Sequence, residues 1–179
     1  MNLFFSCLSK DLIVILEKNN KVIDHLKKDF YLNHVNNCVR NINMILKKNN
    51  LKFIDLNNIF VTSKIGSLTG KRVCFTILKT LAVLNSKLNF FEINSLIFQA
   101  GINKGFSLLK CFKNKYYCAL IEDKKIVSKI EIISHEAINL LKCKNEKIFI
   151  DFDNINYLKN FFNLKNDFDK IINIKNYEI

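Results

Sequence analysis

Residues 66–72 read Gly-Ser-Leu-Thr-Gly-Lys-Arg and join an apolar run at residues 59–62 to a run with helical spacing. The two glycines permit a tight turn at this junction, and Ser67 or Thr69 is a candidate cap for the following helix. Amides at the start of such a helix are able to meet an anion. The segment lacks the GxxxxGK[ST] spacing of a phosphate-binding loop and the dinucleotide fingerprint. It is therefore either a structural cap or an anion site.

The surrounding pattern predicts alternating strands and helices. The candidate strands are three short ones within residues 2–26, and then 59–62, 90–93, 108–112, 116–121, 126–132 and 147–152. The first candidate helix carries the apolar stripe Leu32, Val35, Val39, Ile42 and Leu46. The other three candidate helices span 70–84, 95–100 and 134–141. Asn94 or Ser95 is the candidate cap of the third helix. The pattern is typical of a mixed α/β protein with an antiparallel portion in each half, divided near Gly101 and Gly105.

Composition removes several classes of protein. The 179 residues include 28 basic and 16 acidic ones, a net charge of +12, with 49% hydrophobic and 25% charged residues, which is a globular balance. Only two of the basic residues are arginines, Arg40 and Arg72. Lysine is spelled by A/T-rich codons, so drift in an A/T-rich, reduced genome accounts for much of the charge. No apolar run is long enough for a membrane span, and the first residues have no basic n-region, so we expect no signal peptide.

Cysteine and histidine placement bears on the compartment and on metals. The six cysteines, at positions 7, 38, 74, 111, 118 and 143, form no CxxC pair, and the three histidines are far apart. Zinc sites need close ligand spacing, so we predict no metal site. Scattered thiols fit a reducing cytosol better than a disulfide framework. We therefore expect a cytoplasmic protein.

The second predicted helix has an unusually wide apolar arc. At 100° per residue its apolar positions sweep about 200° of the circumference, whereas a helix lying on one sheet needs about 100°. The positions are Val73, Cys74, Phe75, Ile77, Leu78, Leu81, Ala82, Val83 and Leu84. The extra width indicates burial on a second side, either against another helix of the same domain or against another chain.

In this context the glycine segment resembles the signature of the TsaB (YeaZ-like) family, the non-catalytic partner in bacterial synthesis of threonylcarbamoyladenosine on tRNA. That signature reads approximately GxGPGSFTGxR after a strand, and the matching positions here are Gly66, Ser67, Thr69, Gly70 and Arg72. Residues 93–96, Ile-Asn-Ser-Leu, look like the family's strand-to-helix V-S-S-L, and His34 and Tyr117 match two further positions. The resemblance covers residues 2 to 155 and is strongest over 54–97.

The resemblance implies an actin-like ATPase (ribonuclease H-like) α/β fold with two small lobes. Residues 1–100 would form the first lobe, and residues 101–179 a truncated second lobe without the family's last helix. It also implies a function: to bind and stabilise TsaD, which transfers a threonylcarbamoyl group from an adenylate to the N6 amine of adenosine in ANN-decoding tRNAs. In that family the ATPase TsaE docks onto the heterodimer, and contact with tRNA is indirect. Where TsaD is absent, we expect a homodimer.

The family's first-lobe helices pack against their equivalents in TsaD, so the wide arc is predicted to contain the partner interface. The predicted interface residues are Cys74, Phe75, Leu78, Leu81 and Ala82. The predicted sheet-facing residues are Val73, Ile77 and Leu84. Rotation of the helix about its axis is not determined by the pattern.

Departures from the family pattern bear on chemistry. Lys64 and Ile65 replace a Gly and a Pro, and residues 5–7, Phe-Ser-Cys, replace the I-D-T that approaches phosphate and metal in actin-like ATPases. Lys110 and Lys115 stand where the family has Asp and Glu. A nucleotide–Mg²⁺ site needs carboxylates, so we predict no cofactor, no metal and no catalytic residue. Two alternatives remain: a small basic RNA-binding module, and a vestigial actin-like ATPase or glycoprotease-like enzyme.

Overall fold

The computed structural model describes residues 1–29, 34–143 and 145–174, with side chains at all of these positions except 34–36. Its first 100 residues form β1 (Asn2–Ser6), β2 (Asp11–Lys18), β3 (Lys21–Asp29), α1 (His34–Lys48), β4 (Asn58–Ser63), α2 (Leu68–Leu84), β5 (Asn89–Asn94) and α3 (Ser95–Ala100). Then follow β6 (Gly105–Phe112), β7 (Lys115–Glu122), β8 (Lys125–Ile126), β9 (Glu131–Ser134), α4 (His135–Cys143), β10 (Ile148–Ile150), α5 (Tyr157–Leu164) and β11 (Asp169–Lys170). Short 3₁₀ helices lie at Phe53–Asp55 and Lys165–Asp167.

The first sheet has the strand order β11-β5-β4-β1-β2-β3. Its strands β1, β4 and β5 are parallel, whereas β1, β2 and β3 form an antiparallel meander. Successive side chains of a strand point to opposite faces, and β1 is apolar on both: Leu3 and Phe5 join one core cluster, and Phe4 joins another. Helices α1 and α2 supply side chains to the first cluster, and α3 and α5 to the second. The sheet is therefore the middle layer of three.

The second sheet has the order β10-β6-β7-β8, and β9 also pairs with β7. The hairpin of β6 and β7 is antiparallel, while β10 runs parallel to β6. Helix α4 covers part of this sheet through Ile138, which packs with Leu108 and Cys118. Two sheets with helices between and around them confirm the predicted mixed α/β class.

The junction between the two sheets is aromatic and hydrogen-bonded. The rings of Phe4 and Phe98 stack with centroids 4.7 Å apart, and Phe161 lies 5.3 Å from Phe4. Buried Gln99 donates from Nε2 to the carbonyl oxygen of Leu108 at 3.0 Å, and its Oε1 accepts from the backbone N–H of Phe152. Because these contacts join α3, α5 and both sheets, the relative placement of the sheets is determined by a shared core.

Several local predictions are confirmed, and one segment differs. Asn94 caps α3, since its Oδ1 accepts from Leu96 N–H at 2.9 Å. The pattern leaves the residues beyond 152 unassigned, and α5 forms there with Asn156 as its cap. Its tertiary contacts decide this, because Phe161 and Leu164 are fully buried. Leu32 of the predicted stripe lies outside the described residues.

The end of the described chain returns to the first sheet. Strand β11 pairs antiparallel with β5, with Asp169 opposite Glu92, and Ile171 joins the core cluster beneath α1 and α2. The prediction assigned residues 101–179 to a second lobe. We correct that assignment for the segment from Asp169, because β5 offers a free edge whose pairing and apolar contacts place this segment on the first sheet.

Candidate functional site

The signature segment is docked onto the turn between β1 and β2. Ser67 N–H donates to the carbonyl oxygen of Leu8 at 2.9 Å. Gly66 has φ +136°, and a Cβ on it would lie 2.7 Å from the Cβ of Leu8, so both its conformation and its contact require glycine. Gly70 is helical, and a Cβ there would overlap the carbonyl oxygen of Cys7. Gly70 is thus needed for close approach of backbones, and not for an unusual backbone angle.

Ser67 is the cap of α2. Its Oγ accepts from Gly70 N–H at 3.2 Å, and its carbonyl oxygen accepts from Lys71 N–H at 2.9 Å. Thr69, the other candidate cap, is exposed and lines a groove described below. The N–H groups of Gly70 and Lys71 are therefore engaged within the protein, which supports the structural interpretation of the segment. Arg72, the last matching residue, is exposed.

The structure places the predicted interface residues inside the protein. Cys74, Phe75, Leu78 and Leu81 are buried in the core cluster that α2 shares with the first sheet and α1, and Ala82 is partly buried against it. Val73 and Ile77 are buried there too, whereas Leu84 is 68% exposed. The wide apolar arc is accounted for by two internal neighbours, the sheet and α1. The predicted interface assignment is corrected for Cys74, Phe75 and Leu78, which a partner cannot reach. Leu81 is buried as well, but it lines the groove between α1 and α2.

A groove of about 440 Å³ remains open between α1 and α2. Its lining residues are Val39, Ile42, Phe53, Thr69, Arg72, Val73, Thr76, Ile77, Thr80, Leu81 and Leu84. Val39 is 44% exposed and Leu84 68%, so two large apolar side chains stand at its margins in water. A second apolar depression continues past Phe53 to Ile54, which is 63% exposed. Contiguous exposed apolar surface of this kind marks interaction sites.

The two helices on either side of the groove are basic. Neither α1 nor α2 contains an Asp or Glu, and both arginines of the chain lie on these helices, Arg40 on α1 and Arg72 on α2. Within the described residues neither arginine forms an ion pair; Lys48, by contrast, contacts Asp24 at 2.9 Å. Of the two arginines, Arg72 lines the groove.

A cleft of about 380 Å³ lies where the signature segment meets the second sheet. Lys10 on its wall forms an ion pair with Asp153 at 2.7 Å. Asp151 accepts from Lys110 N–H at 2.7 Å, and burial raises the pKa of its carboxyl group. Across the described ranges no cluster of three or more His, Cys, Asp or Glu side chains is arranged to hold a metal ion. The cleft therefore offers one carboxylate that is already hydrogen-bonded.

Three of the six free cysteines, Cys7, Cys38 and Cys74, are buried in the core cluster beneath the groove. Hydrogen bonding to Cys7 and burial raise the pKa of Cys38 well above its ordinary value. The Cys38 thiol is thus kept protonated and unreactive. None of the helices in the described part of the chain is long and apolar enough to cross a membrane.

Comparison with solved structures identifies the architecture. The chain superposes on YeaZ from Pseudomonas aeruginosa with a TM-score of 0.62 at 11% identity, over 74% of this chain and 67% of that one. An uncharacterized protein with similarity to peptidase YEAZ from Pseudomonas aeruginosa gives a TM-score of 0.63 at 12% identity, over 74% and 66%. The fold is therefore YeaZ-like, in agreement with the actin-like α/β architecture that the signature implied.

Comparison of sequences identifies relatives. No family model matches the chain. It is 34% identical to the uncharacterized protein MG208 of Mycoplasma genitalium over 157 residues, which cover 86% of this chain and 79% of that protein. It is 31% identical to the MG208 homolog of Mycoplasma pneumoniae over 182 residues, covering 99% and 92%. By this extent of identity, the chain belongs to the same protein family as MG208 of Mycoplasma genitalium.

Proposed function

We propose that this protein is a non-catalytic partner of TsaD in the synthesis of threonylcarbamoyladenosine on tRNA, and that it docks through the face of α1 and α2. The observation that carries the proposal is the apolar groove between these helices on a YeaZ-like fold. The signature match at residues 66–72 supports it, because that segment sets where α2 begins and how it lies on the sheet.

The exposed side of α2 suits a helical partner. One row of residues on this side recurs at alternating spacings of four and three: Thr69, Val73, Thr76, Thr80 and Val83. Val73 is buried, and the other four are exposed. A 3.5-residue repeat is the pattern of helices that pack along their length. Small β-branched side chains let a second helix approach closely, while Leu84 at the end of the row supplies a larger apolar contact. This arrangement supports packing against helices of TsaD.

The proposal gives this chain no chemical step. In the cleft, Lys10 forms an ion pair with Asp153, and the backbone N–H of Lys110 donates a hydrogen bond to the carboxylate of Asp151. Nucleotide, metal and transfer chemistry would belong to TsaD, TsaE would dock onto the complex, and tRNA would be met through it in the cytoplasm. The protein would contribute packing surface that stabilises its catalytic partner.

Co-expression with TsaD of the same organism, followed by size-exclusion chromatography, tests the proposal. Leu84→Glu is the informative variant, because Leu84 is 68% exposed and lines the groove. A carboxylate desolvated at an interface without a partner costs several kcal/mol, so co-elution should be lost while circular dichroism is unchanged. Leu140→Glu is the matched control: Leu140 is 66% exposed on α4, away from the groove, and this variant should co-elute like wild type.

Three results would contradict the proposal. Failure of the wild-type chain to co-elute with TsaD removes the partnership, and co-elution of Leu84→Glu at wild-type affinity removes the groove from the interface. Salt-dependent tRNA binding by the isolated chain, without TsaD, would favour the RNA-binding alternative. Leu78→Glu is unsuitable as a test because Leu78 is fully buried, so its loss of binding would report unfolding.

A further inference from the structure

A polar pocket lies between α5, the end of α3 and β10, on the face of the first sheet that α1 and α2 do not cover. Its volume is about 350 Å³, within the range of about 300–1,000 Å³ for small-molecule sites. The lining residues are Gln99, Ile102, Asn103, Lys147, Phe149, Asn154, Ile155, Asn156, Lys159, Asn160 and Asn163. They include two lysines and no Asp or Glu, and we call this cavity the amide pocket.

One side-chain amide that lines this pocket is unpaired. Among the described residues, Nδ2 of Asn163 is the buried side-chain polar atom that lacks a hydrogen-bond partner. An unpaired buried donor costs free energy, and such groups call for an explanation. Asparagine is common throughout the chain, so the evidence is this unpaired donor and not the number of asparagines. Rotation of Asn163 about χ2, a torsion with a broad minimum, turns the amide into the pocket and breaks no hydrogen bond of Nδ2.

The helical wall that carries Asn163 is anchored to α3. Asn160, which is 6% exposed, donates from Nδ2 to the carbonyl oxygens of Phe98 and Gln99 at 2.8 and 3.1 Å. Asn156 caps the same helix by accepting from the backbone N–H three residues later. Spacings of four and three residues place Asn156, Asn160 and Asn163 on one face of α5. The pocket is therefore lined by a row of amides on a fixed backbone.

Lys147 is positioned on the β10 side of the pocket. Its carbonyl oxygen accepts from Phe106 N–H at 2.8 Å, which fixes the backbone. Its Nζ donates to Asn103 Oδ1 at 3.0 Å and lies 5.4 Å from the centre of the Phe149 ring. An ammonium group has three N–H donors, so two remain for a ligand. Lys159 on α5 adds a second cation to the lining.

We propose that the amide pocket binds a small organic phosphate, a monoester whose phosphate oxygens accept from Asn163, Lys147 and Lys159. Lysine binds phosphate as a point charge, whereas bidentate recognition of a carboxylate favours arginine, and neither arginine lines this pocket. One water occupies about 30 Å³, so the volume has room for a phosphate together with a carbon portion. Ile102 and Ile155 supply apolar surface for that portion.

The inference goes beyond the proposed function and does not depend on it. Helices α1 and α2 supply side chains to one core cluster of the first sheet, and α3 and α5 to the other. A ligand in the amide pocket and a protein partner at the groove are therefore separated by the sheet, and binding of the two would not compete. The cleft at the signature segment is also a different site, because it shares no lining residue with the amide pocket.

Titration of the full chain with ribose 5-phosphate at constant ionic strength tests the proposal, with side-chain amide signals followed in ¹H–¹⁵N NMR spectra. We expect saturable binding with a Kd of about 1 mM and a shift of the Asn163 amide signals, whereas uncharged ribose should not bind. Lys147→Met should weaken binding at least about tenfold. Lys129→Met is the matched control, because Lys129 is exposed and outside the lining, and it should bind like wild type.

Asn163 gives a readout that a purely structural residue would not give. Asn163→Leu removes the unpaired donor at similar volume, so Tm should rise while phosphate binding weakens. Asn163→Asp keeps the shape of the side chain and replaces the donor by a negative charge, so ribose 5-phosphate binding should be lost. Asn114→Asp introduces the same charge at the exposed turn between β6 and β7 and should bind like wild type.

Absence of saturable ribose 5-phosphate binding in the millimolar range overturns the inference, and so does equal binding by Lys147→Met and wild type. A lower Tm for Asn163→Leu with unchanged binding would assign Asn163 a structural role and overturn it as well. A single-stranded oligoribonucleotide without a terminal phosphate is the second probe, because its phosphodiesters present similar oxygens. We expect no displacement of ribose 5-phosphate by this probe; displacement would assign the pocket to RNA and overturn the assignment to a small ligand.

Discussion

Replacing Gly70 by alanine tests how the signature segment is held. Gly70 lies in the first turn of α2 with ordinary helical geometry, so its backbone tolerates alanine. A Cβ would overlap the carbonyl oxygen of Cys7, and it would stand 3.0 Å from the carbonyl carbon of Cys7 and 3.2 Å from Cα of Leu8. These are backbone atoms, so no change of rotamer relieves the overlap. The start of α2 must move away from the β1–β2 turn by on the order of 1 Å.

The expected magnitude combines one gain and three losses. Alanine has a higher helix propensity than glycine, and this stabilises α2 by about 1 kcal/mol. Overpacking costs about 1–3 kcal/mol, and displacement weakens the Ser67 cap and the bond from Ser67 N–H to Leu8, each worth about 1 kcal/mol. The net free energy of unfolding should fall by about 2–4 kcal/mol. For a chain of this length, that lowers Tm by about 5–15 °C.

Thermal and urea denaturation followed by circular dichroism measure this loss. Thr80→Ala is the control, because Thr80 is exposed on the same helix and its hydroxyl donates to the carbonyl oxygen of Thr76 at 2.9 Å. That variant should stay within about 0.5 kcal/mol of wild type. A Gly70→Ala protein that melts at or above the wild-type temperature would refute the reasoning, since helix propensity alone would then govern the position.

Other residues lead to further expectations. Burial raises the pKa of Glu17, but hydrogen bonds from Lys165, Asn2 and the Asn20 amide outweigh burial and hold that pKa below its ordinary 4.5. The stability that the Glu17 carboxylate contributes is therefore present above pH 4.5 and is lost as the pH falls below it. Urea titrations should show that the stability of Glu17→Gln depends less on acid pH. Lys165→Met leaves that buried carboxylate without its cation and should cost about 3 kcal/mol at neutral pH, measured by urea denaturation. Gln99→Leu leaves the Phe152 N–H unpaired and should cost about 1–3 kcal/mol in the same assay, whereas a stable variant would show that water replaces the amide. Calorimetry with ATP and Mg²⁺ should show no micromolar binding, and such binding would favour the vestigial ATPase alternative.

Local chemistry made much of the fold predictable. The short apolar runs of β1 and β2, the period of α1 and α2, and the caps at Ser67 and Asn94 depend on residues close in sequence, so the pattern contains them. The seven-residue glycine segment was recognisable for the same reason. Helix α5 and strand β11 were not, because Phe161 and Asp169 take their structure from distant contacts with Phe4 and Glu92.

The sequence determined part of the functional surface, and only the tertiary structure determined the rest. Sequence alone established that α2 has too much apolar surface for one sheet, and that both arginines lie in predicted helices. Which side of α2 meets water depended on where α1 packs, because the same apolar arc serves a helix neighbour within the chain or a partner outside it. Packing against α1 buried Cys74, Phe75, Leu78 and Leu81 and left Leu84 and Arg72 exposed. Periodicity specifies an angle around a helix axis, and only tertiary contacts turn that angle into an inside and an outside.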